Sequence, residues 1–158
     1  MNATDLARFI AEQKIAAEMI FLAQETPTVE AAALAVGTRP EQIGKSILFI
    51  IARTHPLLII ANGLARIDYK KLSDHLRVGR KQIRLANQEE VLALTGYPAG
   101  TVPPFGHLTP LPTLLEANLL TLTDFYAGGG AINALVRLTI HELRRVVPAG
   151  VVALAQIA

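Results

Sequence analysis

The chain contains no cysteine and no tryptophan among its 158 residues. The missing thiols exclude a disulfide scaffold, a zinc ribbon, thiolate metal ligation and a cysteine nucleophile together. Charge is also scarce. Asp, Glu, Lys and Arg make up 18% of the chain, against roughly a quarter of an average soluble protein. Hydrophobic residues reach 51%, which excludes disorder as the main state. No long apolar run accompanies them, although mean hydropathy is +0.38. The stretch Ser46 to Ala52 is broken by Arg53-Thr54-His55-Pro56 before Leu57 to Ala61 resumes. A membrane-spanning helix needs about 20 apolar residues. Asp5 and Arg8 fall within an amphipathic pattern, so the first residues do not read as a leader. These features predict a soluble, cytoplasmic protein, one domain over residues 1–158, without a membrane partner. The net charge of +2 permits an anionic partner but does not demand one.

Helix and strand patterns alternate. Thr4 can cap a helix whose Leu6, Phe9 and Ile10 share a face. Glu18 to Ala23 reads as a strand. Thr28 can cap a helix over Val29 to Val36, with Gly37 as a left-handed terminator. Gly44 to Ile51 is apolar on both alternating faces, which predicts a strand buried on both sides. Leu57 to Ala61 should pair beside it through a Thr54-His55-Pro56 turn. Asp68 caps a helix through Leu76, and Asn87 or Gln88 starts another that ends before Gly96. Short strands are expected near Leu119 to Leu122 and Ala134 to Leu138, with a helix over Thr139 to Val146. This mixture predicts a compact α/β fold, a mixed, mostly antiparallel sheet or half-barrel surrounded by helices.

Familiar motifs fail on their own terms. Gly44-Lys45-Ser46 lacks the glycine a phosphate loop needs at Arg39, and a strand follows it where a helix should. Ser46 and Ser73 are the only serines, and neither sits in a nucleophile elbow. His141-Glu142 opens like a zinc helix, but Arg145 stands where the second histidine belongs. His55, His75 and His107 show no ligand spacing, so no metal and no cofactor are expected.

Three features remain. Lys45 sits at the mouth of an otherwise apolar strand, where an ammonium must either snorkel outward or face a polar cleft. A fixed cation there suits a phosphate, a carboxylate or a developing oxyanion. The plain alternative is a solvated strand-end lysine. The segment Thr95 to Gly106 carries three glycines and three prolines in twelve residues, which fixes a backbone shape. Gly100, Thr101, Val102, Phe105 and Gly106 could aim N–H groups at an oxygen, whereas Pro103 and Pro104 cannot. An ordinary rigid connection would look similar. Gly128-Gly129-Gly130 lets another backbone or a ligand come close, or marks a bulge or tight turn.

Taken in order, these pieces resemble the YbaK/prolyl-tRNA-synthetase-associated editing family. The resemblance runs through Thr28-Val29-Glu30-Ala31-Ala32, Gln42 to Phe49, Asp68-Tyr69-Lys70-Lys71-Leu72, Thr95 to Gly106 and the late glycine cluster. It implies a mixed sheet wrapped by helices and a pocket that hydrolyses the ester of a mischarged aminoacyl-tRNA in trans. Lys45 matches the family's functional lysine and would be the catalytic residue, with Ser46 the small polar residue beside it. Gly100 to Pro104 matches a G-x-x-x-P loop at the pocket. The implied substrate-binding set is Ser46, Gly96, Gly100, Thr101, Val102, Pro104, Phe105, Gly106, Gly128, Gly129 and Gly130. Thr101 and Pro103 depart from the loop of many relatives. Ala131, Ile132 and Leu135 replace charged residues of the cysteine-specific branch, so the pocket chemistry there must differ.

An aminoacyl ester is already activated, and the matched motifs hold no general base. Hydrolysis assisted by the substrate's own ribose hydroxyl is the implied route. The rival reading is a non-catalytic paralogue that binds aminoacyl-tRNA or a small amino-acid derivative; a regulatory domain in a synthetase complex is a third. Partners follow accordingly: a mischarged aminoacyl-tRNA and an aminoacyl-tRNA synthetase, and no DNA. Lys70, Lys71, Arg77, Arg80, Lys81 and Arg84 put six cations into fifteen residues, the densest positive stretch of the chain. That stretch is either the surface receiving the tRNA backbone or a solvated face.

Overall fold

The computed structural model describes residues 1–157. Helix α1 (Ala3–Glu12) opens the chain, and Asn2 caps it instead of Thr4. The Asn2 amide oxygen accepts the N–H groups of Thr4 and Asp5, and the Asp5 carboxylate accepts the Asn2 N–H at 2.8 Å. This reciprocal box satisfies two orphan donors at once and leaves Thr4 inside the first turn. The elements that follow are β1 (Ala17–Phe21), α2 (Val29–Val36), β2 (Gly44–Ile51), β3 (His55–Asn62), α3 (Tyr69–Leu76) and β4 (Ile83–Leu85). Then come α4 (Gln88–Thr95), β5 (Thr113–Glu116), β6 (Asp124–Gly128), β7 (Ala134–Thr139), α5 (Ile140–Val146) and β8 (Gly150–Val152).

The strands form two sheets. One is antiparallel, in the order β1-β7-β6; the other is mixed, in the order β4-β2-β3-β5-β8. In the second sheet β2 runs antiparallel to β3 and β4, while the β3–β5 and β5–β8 pairs are parallel. A bridge between Ile43 and Tyr126 joins the two sheets, and the whole is the expected compact α/β fold, mostly antiparallel, with helices around the sheets. Strand β2 is buried on both faces, as its apolar run predicts. Leu48 packs in the core between the sheets with Leu58, Ile60, Phe125 and Val136. Phe49 and Ile51 face a second cluster with Ile59 and Leu72 beneath α3.

Several sequence expectations need correction. The β2–β3 turn is Ala52 to Thr54, with φ of 48° at Ala52 and 73° at Arg53, so His55 and Pro56 belong to β3. Pro56 is tolerated because β5 reaches β3 only from Leu58, leaving its second edge without a strand there. Leu119 to Leu122 is not a strand. A 3-10 turn over Ala117–Thr121 occupies that place, capped by the Glu116 carboxylate accepting the Asn118 N–H at 2.8 Å. Strands β5, β6 and β8 went unread. Two are four residues or fewer, and the glycine at the end of β6 masks its alternation.

One buried acid ties the ends of the fold together. Glu142 at the start of α5 accepts the Ala16 N–H at 2.5 Å and two hydrogen bonds from Arg145, at 2.6 and 2.8 Å. The Arg145 guanidinium, and then the Ala16 N–H, hold its carboxyl down to about 2. A carboxylate lowered in the folded state stabilises above its unfolded value of about 4.3, and that stabilisation is lost as pH falls toward 2. Glu142→Gln should therefore melt at lower temperature at pH 7 and show a flatter acid limb between pH 5 and 2. Parallel melting curves for mutant and parent would argue against this role.

Candidate active site

Strand β2 positions the centre of the site. Strand β4 pairs with it only over Phe49–Ile51, so the opposite end of that edge, around Gly44 to Ser46, has no strand beside it beyond the Ile43 bridge. A cleft of about 200 Å³ opens there. Its walls are Thr26 to Val29 and Ala32 at the start of α2, Ile43 to Ser46, Gly100 and Val102, and Gly128 and Leu135 of the β6–β7 pair. The two sheets, the first turn of α2 and the glycine-rich loop thus meet at one place.

Lys45 is half-buried in this cleft and forms no ion pair or hydrogen bond among the described residues. Burial, and then the nearby Arg66 guanidinium, push its ammonium below the usual lysine value. The start of α2 adds a positive helix end to the same wall. Thr28 spends its hydroxyl on the Ala31 N–H as the α2 cap, and Thr26 bonds to the Ile132 carbonyl. Ser46 differs from both threonines: its Oγ is buried and has no partner.

The glycine-rich loop reaches the cleft by its first half only. Gly100 has a φ of +87°, which an L side chain adopts with strain. The Thr101 N–H is engaged by the Pro98 carbonyl at 3.1 Å, and its Oγ1 by the same carbonyl at 2.8 Å. Gly100 and Val102 line the cleft, and their N–H groups meet no acceptor among the described residues. Thr101 lies outside the positive-φ region, so its departure from the family pattern introduces no strain. Pro104, Phe105 and Gly106 turn away, onto a separate apolar depression beside Phe9, and the Phe105 ring stacks on Phe9 at 6.0 Å. Gly96 is the left-handed cap of α4, and its carbonyl accepts the Met1 ammonium at 2.8 Å.

The glycine cluster acts as a seat for that loop. A side chain at Gly128 would strike the Val102 carbonyl oxygen, with the Thr101 oxygen at 2.9 Å. The Gly130 N–H donates to the Thr101 carbonyl at 2.9 Å, and the Gly129 N–H to Ala134 at 3.0 Å. Of the three, only Gly128 lines the cleft. The structure therefore brings Lys45, Ser46, Gly100, Val102 and Gly128 together. It sets Gly96, Thr101, Pro104, Phe105, Gly106, Gly129 and Gly130 behind or beside them.

Sequence reasoning missed the wall formed by Thr26, Pro27, Val29, Ala32 and Ile43. Thr28 was read as a cap and as the start of a stretch that carries the resemblance, and nothing in local spacing shows that the start of α2 faces β2. Leu135 was noted as an apolar replacement, and it pairs directly with Gly128 across β6 and β7.

The last part of the basic stretch lies toward the far end of β2, whereas Lys70 and Lys71 start α3. Arg84 pairs with Ile50, five residues beyond Lys45, or roughly 17 Å along an extended strand. Four of its cations are already occupied. Lys70 pairs with Asp74 at 3.1 Å, and the Lys71 ammonium donates to the Ala155 carbonyl at 2.8 Å. Arg80 stacks over Tyr69 at 3.9 Å, and Arg84 forms a two-pronged bridge to Glu90 at 2.7 and 2.8 Å. Arg77 and Lys81 remain exposed and make no ion pair among the described residues.

The cleft thus combines one cation, two N–H groups that meet no acceptor among the described residues and an apolar wall. Comparison with known proteins gives the chain a family. Residues 23–146 match the aminoacyl-tRNA editing domain, and the chain belongs to that family. It is 34% identical over 116 residues to the uncharacterized protein YwhH of Bacillus subtilis, covering 73% of this chain and 72% of that one. A solved structure of a candidate trans-editing enzyme for prolyl-tRNA synthetase superposes with a TM-score of 0.89 at 33% identity, covering 98% and 97% of the two chains. The proline–tRNA ligase of Thermotoga neapolitana is 31% identical over 102 residues, 65% of this chain but only 17% of the ligase.

Proposed function

We propose that the protein is a cytoplasmic, single-domain deacylase that hydrolyses mischarged aminoacyl-tRNA in trans, of the kind that edits for prolyl-tRNA synthetase. The observation that carries this reading is the meeting, in one cleft, of the unpaired Lys45 with the open N–H groups of Gly100 and Val102. In the reaction, water adds to the ester carbonyl carbon and the bond to the ribose oxygen breaks. The ribose oxygen leaves with a proton, and the amino acid departs as its carboxylate. Gly100 and Val102 would donate to the carbonyl oxygen as negative charge develops on it. Lys45 would hold the anionic parts of the substrate against the cleft. No carboxylate or imidazole lines the cleft among the described residues. The proton is therefore assigned to the substrate's neighbouring ribose hydroxyl and solvent. Arg77 and Lys81 are the cations of the basic stretch left to meet tRNA phosphates.

That missing base also supports the second reading, a module that binds aminoacyl-tRNA without cleaving it. A deacylation assay over a panel of mischarged tRNAs separates the two. Release of at least one amino acid well above its spontaneous rate is expected. Tight binding with no release would leave the non-catalytic reading.

A further inference from the structure

Three hydroxyl side chains line the cleft, and two are in use within the protein. Thr28 caps α2 and Thr26 bonds to Ile132, whereas the Ser46 Oγ is buried without a partner. Its strand neighbours on the same face are Gly44 and Leu48, and Ile60 stands opposite it on β3. None offers a hydrogen bond from its side chain. A buried hydroxyl without a partner is costly, so its retention calls for a group that arrives from outside. No bond fixes its rotamer, and the half-buried Ser46 lines the cleft.

The depth of this hydroxyl decides what it meets. Lys45 and Ser46 are consecutive residues of a strand and point to opposite faces, so they cannot serve the same substrate atom. The ester is tethered to a tRNA that stays outside a cleft of about 200 Å³. The group that travels furthest inward is the amino acid's side chain. The cleft wall also carries the apolar Val29, Ala32, Ile43 and Leu135.

We propose that Ser46 reads a hydroxyl on the side chain of the aminoacyl group, so that the cleft takes serine and threonine esters in preference to alanine and valine esters. This rests on the deacylase reading and names the substrate class of the same cleft. A wholly apolar pocket separates near-isosteres weakly, whereas a site with a polar group to satisfy rejects the partner that lacks one.

The test uses four esters on one tRNA: serine against alanine, and threonine against valine. The hydroxyl member of each pair should be hydrolysed at least about tenfold faster in kcat/KM. In Ser46→Ala both ratios should fall toward one. The melting temperature of Ser46→Ala should hold or rise, because the change removes a hydroxyl that has no bond in the free protein. Hydrolysis of all four esters without a hydroxyl preference, or ratios unchanged in Ser46→Ala, overturns this inference and leaves the deacylase reading standing. A lower melting temperature would show that the hydroxyl is already partnered, and overturns it equally. Failure to cleave any of the four, with other aminoacyl-tRNAs cleaved, overturns the substrate class alone. Failure on every aminoacyl-tRNA overturns both.

Discussion

Lys45→Ala is expected to fold and melt as the parent does while losing hydrolysis by about 100-fold or more, the scale of removing one member of a desolvated charge pair between a protein and what it binds. The two halves of this expectation have separate grounds. Lys45 makes no ion pair or hydrogen bond among the described residues, so truncation breaks no polar contact that holds the fold. Burial and Arg66 both disfavour its charge, so its ammonium contributes little to stability in the empty protein. A cation kept in a half-buried place with no internal partner is the pattern expected of a group that awaits a ligand, which is the role proposed for it. Lys45→Arg should be impaired as well, because a planar fork does not replace a compact ammonium at the end of a flexible stem. Single-turnover deacylation beside thermal melts would measure both halves. Full turnover in a folded Lys45→Ala protein removes the residue from the mechanism, and an unfolded one makes it structural.

What the sequence reveals about this molecule follows the reach of each signal. The double-sided burial of β2 was legible because an uninterrupted apolar run has one economical explanation, and the structure splits Leu48 and Phe49 into two cores. Gly37 was readable as a left-handed cap because a helix end makes a local demand, met here at φ 69°. The cleft was readable only in pieces. Lys45 and Gly100 stand out by chemistry and conformation, but Ile43, Ala32 and Val29 are ordinary apolar residues whose role comes from packing across the chain. The basic stretch shows what a count of charges leaves out. Counting cations does not reveal that Glu90 holds Arg84 or that Tyr69 lies beneath Arg80. Pro104 and Phe105 were grouped with Gly100 because they share a loop, and the chain turns its second half onto α1 through Phe9. Sequence proximity in a rigid loop says nothing about which side each residue shows.

Gly128→Ala should be the most damaging of the glycine substitutions at the site, in turnover beyond its effect on stability. Its new methyl would meet backbone alone: the Val102 oxygen, then the Thr101 oxygen and the Val102 carbonyl carbon, both at 2.9 Å. A flexible side chain could yield, but here the loop itself must move off β6. Overpacking of this kind costs about 1–3 kcal/mol. The same displacement shifts Gly100 and Val102, the proposed donors, and a misplacement of about 1 Å can reduce a rate some 100-fold. Gly100→Ala provides the contrast. Nothing lies within 4 Å of its added methyl, so steric exclusion by protein atoms is absent and only the strain of φ +87° remains. Gly37→Ala carries similar strain at φ +69° in open space at the far end of α2, and it controls for strain alone. Turnover per folded molecule should therefore fall most in Gly128→Ala, less in Gly100→Ala and least in Gly37→Ala. Parent-like turnover per folded molecule in Gly128→Ala would mean that the loop can leave its seat without disturbing the chemistry, and Gly100 and Val102 would then be lining and not donors.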